Sequence, residues 1–337
     1  MSNTTVLEFE RPIIELRKRI IALREIEADT GTDLSASIDQ LSQQADQLQA
    51  QIFASLTPWQ RALLSRHPNR PYTLDYVDQL FTDWMELHGD RAGFDDAAIV
   101  CGLARFRGTP VVVIGQQKGR NTKENLKRNF GMPRPDGYRK ALRIMQLAAR
   151  FKRPILTFID TPGAYPGIDA EERGQAEAIA RNILEMSTFE VPVVCCVIGE
   201  GGSGGALALG VGNRVVMLEN SIYSVISPEG CAAILWRDRA EGPRAAEALR
   251  LTASDCLRLG VVDQVIHEPA GGAHRDPSTA IASVGNSLAA HLDDLSELDG
   301  PALRADRYAR YRRLGAFEEG VLAEQQVVAP ETASAEA

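Results

Sequence analysis

Between residues 91 and 268 the chain alternates short β-branched apolar runs with amphipathic stretches, and this restricts its fold more than any other feature. Val111–Ile114, Ile155–Ile159, Val191–Ile198 and Val215–Leu218 end in Gly, Asp or Asn and read as strands buried on both faces. Between them, Ala141, Ile144, Met145 and Ala148 space one apolar helical face. Ala176, Ile179, Ala180, Ile183 and Leu184 space a second, with Asp169 and Glu172 as its start signal. Alternating strands and helices imply an α/β fold. No internal repeat of fixed period interrupts it.

The flanks have a different texture. In residues 1–90, Ile13, Leu16, Ile20 and Leu23 repeat at three-four spacing, as do Leu41, Ala45, Leu48 and Ile52. With the polar, turn-rich stretch from Asp29 to Ser37 between them, they predict an antiparallel helical hairpin suited to scaffolding or subunit contact. Thr57-Pro58 predicts a capped helix start, and Thr73 with Asp75 a helix ending near Leu87. The core is expected over 91–275, further helices over 276–320, and a disordered tail over 321–337, where Ala, Glu, Gln, Ser and Thr dominate.

Composition narrows the function. At 44% hydrophobic and 24% charged, the chain reads as a soluble globular protein. Net charge −8 argues against general nucleic-acid binding. The five cysteines, at 101, 195, 196, 231 and 256, form no C-x-x-C pair, so no metal site is expected and reduced core thiols are. Cys195 and Cys196, adjacent on one strand, should point to opposite faces. No apolar run reaches the roughly eighteen residues of a membrane span, and no signal segment is evident, so a cytoplasmic location is expected. His67, His88, His267 and His274 show no ligand spacing and read as structural or surface residues.

The segment Val191–Gly210 carries the chemistry. A strand enters Gly199-Glu200-Gly201-Gly202-Ser203-Gly204-Gly205, and Ala206-Leu207-Ala208-Leu209 follows as a helix. Glycines let a ligand approach the backbone, and the free amides at a helix start favour an anion. Three grammars fit. Gly199-x-Gly201-x-x-Gly204, with Glu219 twenty residues on, matches a dinucleotide fingerprint, although only about ten residues (Gly202–Val211) remain for the crossover helix. Gly201-x-Ser203-x-Gly205 matches a nucleophile elbow, with Asp263 and His267 or His274 downstream. The third is an oxyanion hole that needs no protein nucleophile.

Further blocks bear on the choice. Upstream stands Phe158-Ile-Asp160-Thr-Pro162-Gly-Ala-Tyr-Pro166-Gly167; downstream stands Ala253-Ser-Asp-Cys-Leu-Arg-Leu259-Gly260-Val-Val262-Asp263. The latter resembles the crotonase superfamily, and the paired glycine turns resemble its carboxyltransferase branch. With KENLKRNFGMPRPDGYRKALR, GEGGSGGALALG and YSVISPEGCAAILW, the chain resembles the α-subunit family of bacterial acetyl-CoA carboxylase carboxyltransferases from about Phe9 to Gly315. The resemblance implies a crotonase-like ββα superhelix with an N-terminal helical hairpin and C-terminal helices. It implies an α2β2 assembly whose β subunit carries a zinc ribbon. It implies carboxyl transfer from carboxybiotin, held on a separate biotin carboxyl carrier protein charged by biotin carboxylase, to acetyl-CoA, giving malonyl-CoA for fatty acid biosynthesis. The main oxyanion donors would then be the Gly204 and Gly205 amides, with Gly201, Gly202 and Ala206 shaping the biotin-side turn. A serine hydrolase of the related protease branch and a non-catalytic assembly subunit are the alternatives.

Two stretches admit both a bland and a functional reading. The Asp160–Gly167 turn is either punctuation or a wall of the cleft. Lys118 to Arg143 holds nine basic residues against Glu124 and Asp136, either a solvated helical face or a clamp for CoA phosphates or an acidic partner. Lys118, Arg120, Lys123, Lys127 and Arg128 are the clamp candidates. Ser227-Pro228-Glu229 reads as a helix start.

Overall fold

The computed structural model describes residues 5–315, so the tail expected to be disordered lies outside the described residues. The predicted hairpin forms from α1 (Arg11–Thr30) and α2 (Ser35–Ala54), packed through Leu16, Ile20, Ile38, Leu41 and Ala45. Thr57 caps α3 (Pro58–Ser65) with a reciprocal capping box to Gln60. The helix expected from Thr73 to Leu87 stops early. Helix α4 (Thr73–Leu80) gives way to strand β1 (Phe81–Glu86), because the Phe81 ring is buried against Phe106 and Phe158 (centroids 5.3 and 6.3 Å apart). Pairing with a neighbouring strand overrides local helical preference there.

Strands β2 (Ile99–Phe106) and β3 (Thr109–Gln116) continue β1 as an antiparallel meander. After α5 (Thr122–Lys127) and α6 (Pro135–Arg150), the sheet becomes parallel at β4 (Ile155–Thr161). Asp169 begins only the single turn α7 (Ile168–Glu172). Left-handed Gly174 then breaks the chain, so the predicted second helix is α8 (Gln175–Thr188). Strand β5 (Val193–Gly202) runs on through the first four residues of the glycine segment, leaving α9 (Ser203–Leu207) only five residues.

The remaining elements are β6 (Arg214–Leu218), β7 (Ile222–Ser224), α10 (Pro228–Trp236), α11 (Gly242–Leu249), α12 (Ala253–Arg258), β8 (Gln264–Ile266), α13 (Pro277–Ser296) and α14 (Gly300–Arg312). The strand order is β1-β2-β3-β4-β5-β6-β8, with β7 paired to the end of β5. The successions β2–β3–α6 and β6–β7–α10 are ββα units of the expected α/β class.

Alternation along the strands builds two cores. Val112, Ile114, Val193, Cys195 and Val197 face the side covered by α6 and α8. Val111, Val113, Val194, Cys196 and Ile198 face the side covered by α4 and α13. Cys195 and Cys196 therefore part to opposite faces, and all five cysteines are buried free thiols. Among the described residues no helix is long and apolar enough to cross a membrane.

Candidate functional site

The adjacent parallel strands β3, β4 and β5 end together, and the glycine segment lies where they do. The β4–β5 register slips between Ile159 and Thr161, where Ile159 pairs Val197 but Thr161 pairs Gly201. Such a bulge re-aims the chain at the end of a strand. The Asp160–Gly167 turn packs directly against the re-aimed segment. A Cβ on Gly202 would stand 2.2 Å from the Pro162 carbonyl oxygen, and one on Gly205 would stand 2.6 Å from the Gly163 carbonyl carbon. Both contacts are with backbone and cannot yield, so only glycine fits.

Helix α9 starts at Gly202 with no side-chain cap. The first amides of a helix have no partner within it, and among the described residues no side chain takes the Gly204 or Gly205 amide. A five-residue helix has little macrodipole, so any anion there is held by the N–H groups themselves. Gly204 is half-buried, Gly205 and Ala206 are buried, and Ser203 is exposed. Ser203, Gly204, Leu207, Tyr223, Val225 and Tyr311 line an apolar cavity of about 280 Å³. Of the five predicted turn residues only Gly204 lines this cavity; Gly201 and Gly202, at the end of β5, line a smaller pocket with Arg66, Pro162, Glu200 and Ser227, and Gly205 and Ala206 are buried.

The competing grammars lose their geometry. A dinucleotide crossover is excluded by the five residues of α9. Ser203 does sit in the left-handed conformation of an elbow (φ 51°), yet among the described residues no histidine hydrogen-bonds it. The two histidines downstream face other partners: His274 bonds Glu10 at 3.0 Å, and His267 stands 3.4 Å from Glu219.

The basic stretch is only partly available. The Lys118 ammonium bonds Asp160 at 2.7 Å and Glu200 at 2.9 Å, with its side chain 12% exposed. Burial alone would lower its pKa, but the two carboxylates outweigh burial and raise it. Lys118 is therefore an internal counter-ion, which corrects its reading as a phosphate clamp. Arg120 is likewise committed: it pairs with Asp75, donates to the Pro68 and Arg70 carbonyls, and stacks 4.0 Å over Tyr72. Arg128 donates to the Ala97 carbonyl at 2.8 Å. Lys123 and Lys127 remain exposed.

Three site residues escaped sequence reasoning: Arg66, Gln116 and Glu200. Arg66 bonds Glu200 at 2.7 Å across 134 residues and also pairs with Glu229, whose helix start at Ser227 is as predicted. Burial would raise the Glu200 pKa, but Lys118 and Arg66 outweigh it and lower it. Nothing in the local sequence signals these pairings.

Glu10, His67 and His274 have potential metal-ligand atoms within 4.8 Å of one another. Their polar atoms are largely engaged, with His274 Nδ1 left without a partner. His67 Nδ1 accepts from the Asn69 amide, and His67 Nε2 faces the Thr5 carbonyl at 2.9 Å. Glu10 accepts from His274, Arg275 and the Leu7 amide. Through these bonds the cluster latches the N-terminal segment to the core.

Comparison with known proteins agrees with this geometry. The model of the family described as acetyl co-enzyme A carboxylase carboxyltransferase-like matches residues 6–315. The acetyl-coenzyme A carboxylase carboxyl transferase subunit alpha of Geobacillus sp. (strain WCH70) is 57% identical over 92% of this chain and 96% of its own. That of Thermus thermophilus is 58% identical over 93% of this chain and 99% of its own. Among solved structures, transcarboxylase 12S with methylmalonyl-coenzyme A bound superposes with TM-score 0.56 at 21% identity, over 68% of this chain and 42% of that one. A Pseudomonas malonate decarboxylase hetero-tetramer in complex with coenzyme A gives TM-score 0.54 at 20% identity, over 65% of this chain and 90% of that one. These structural likenesses carry the fold; the near full-length sequence matches carry the family, and the chain belongs to the α subunits of the acetyl-CoA carboxylase carboxyltransferases.

Proposed function

We propose that the Gly204 and Gly205 amides are the biotin-side oxyanion hole of the carboxyl transfer that converts acetyl-CoA to malonyl-CoA. Carboxybiotin, delivered on its carrier protein, supplies an activated carboxyl group. The two amides hold the negative charge that develops on an oxygen as that group moves. Gly201, Gly202 and Ala206 shape the turn, while Leu207, Tyr223, Val225 and Tyr311 exclude water and so strengthen each donor. No side chain of this chain acts as nucleophile or base. The reading places the chain in the cytoplasm, in an α2β2 assembly whose β subunit carries the zinc ribbon and the second hole, fed by biotin carboxylase through the carrier. Lys123 and Lys127 are the free cations for CoA phosphates or an acidic partner.

What supports the reading is a helix start that no side chain caps, with Gly204 lining an apolar cavity and Gly205 next to it in the chain. Substitution at Gly205 is a poor test, because its Cβ strikes the Gly163 backbone. Gly204 is better: a Cβ there meets only Ile179 at 3.5 Å. Gly204→Pro deletes the donor within the first turn of α9, although it also crowds the left-handed Ser203 before it. Transfer from malonyl-CoA to free biotin, assayed after mixing with the zinc-bearing β subunit, should fall by roughly 10²–10³. Gly204→Ala, which keeps the amide, should lose far less; co-elution with the β subunit checks that both variants assemble. Equal activity of the proline variant and the native chain would refute the assignment.

A further inference from the structure

A turn made of glycines has no side chains with which to hold itself, so its shape must be imposed from outside. The Gln116 side chain, fully buried at the end of β3, is where this happens. Its Oε1 accepts from the Asp160 amide at 3.1 Å, and its Nε2 donates to the Gly205 carbonyl at 3.0 Å. That carbonyl belongs to the peptide plane carrying the Ala206 amide, so the bond sets the rotation of the first turn of α9. Asp160 extends the lattice: one carboxylate oxygen accepts both the Glu200 amide at 2.9 Å and the Lys118 ammonium at 2.7 Å. Lys118 and Arg66 then grip the Glu200 carboxylate, the only long side chain between Gly199 and Gly205.

We infer that Gln116, braced by Asp160, Lys118 and Glu200, is a positioning residue that orients the amides of the glycine turn. The inference rests on reading that turn as the oxyanion site. The three strand ends are cross-linked through a single amide side chain, and every strong donor in the lattice points at a strand-end carbonyl or carboxylate. Held this way, the turn does not reorganise as charge develops, which is what preorganised donors require.

The test uses the full chain with Gln116→Met, which removes donor and acceptor at similar length, and Gln116→Asn, which keeps the polarity but falls one carbon short. Hydrogen exchange of a peptide spanning 199–209 should accelerate in both variants while the rest of the sheet keeps its protection. In complex with the β subunit, kcat for malonyl-CoA decarboxylation onto free biotin should fall about 10²-fold, the scale of an ångström's misplacement, with KM for malonyl-CoA unchanged. Native protection of that peptide in both variants would overturn the inference. So would uniform loss of protection across the sheet, which marks a merely structural role. If the peptide loosens but kcat stays native, the anchoring stands and the oxyanion reading of the turn fails instead.

Discussion

Ser203 holds a left-handed backbone, φ 51°, on a residue that ordinarily loses about 1–2 kcal/mol there. Its neighbours Gly202 and Gly205 are pinned against the Asp160–Gly167 turn, and among the described residues its hydroxyl has no hydrogen-bond partner. Ser203→Gly should therefore leave carboxyl transfer intact and change stability by between zero and about +1 kcal/mol, measured by urea denaturation alongside the assay. Loss of turnover with an intact fold would show that the hydroxyl reacts. Single residues were also where sequence reasoning failed most. Lys118 and Lys123 look alike in a basic run, yet one neutralises Asp160 and Glu200 inside the protein and the other faces solvent. Charge pattern along a chain records how many cations there are, not which of them already have partners.

At the scale of elements, capping and periodicity were legible. Thr57 and Ser227 cap helices as read, and the apolar spacing of α1, α2 and α6 matches their buried faces; α8 instead buries Ala178, Asn182 and Met186 and leaves Ala176, Ala180 and Leu184 exposed. Strand β1 was not legible, since its residues become a strand only by pairing with β2. The N-terminal latch gives this scale its prediction. Burial lowers the His67 pKa below the ordinary 6.5, while the Thr5 carbonyl and Glu10 oppose that effect and His274 adds to it. The unfolded chain thus takes up a proton below pH 6.5 that the folded one refuses, and stability drops as pH falls through that value. Burial would raise the Glu10 pKa, but its bonds to His274 and Arg275 outweigh it and bring it from 4.5 to about 2. That contribution is complete above pH 4.5 and is lost between there and pH 2. Calorimetric melting should show both steps, with His67→Asn flattening the upper one and Glu10→Gln the lower. Unchanged profiles in both variants would remove the latch as their cause.

Across the whole molecule, the C-terminal helix is stapled to the sheet through buried Arg307. Its guanidinium donates to the Met186, Phe189 and Val191 carbonyls and to the Asn213 side chain. Burial lowers its pKa to about 10, so it remains charged at neutral pH. Arg307→Met strands several buried acceptors and should cost roughly 3 kcal/mol or more, read from the shift of the urea midpoint. A loss under 1 kcal/mol would mean that α14 docks by apolar packing alone. The sequence by itself determined the α/β class, the hairpin, the thiols of opposite faces and the glycine turn, because strand periodicity, capping and glycine's missing Cβ act within a few residues. Only the tertiary structure decided that Gln116 reaches Gly205 across 89 residues, that Arg66 reaches Glu200, and that Lys118 is spent inside the protein. Those partners meet only once parallel strands have settled into register, and no local pattern encodes where distant strand ends converge.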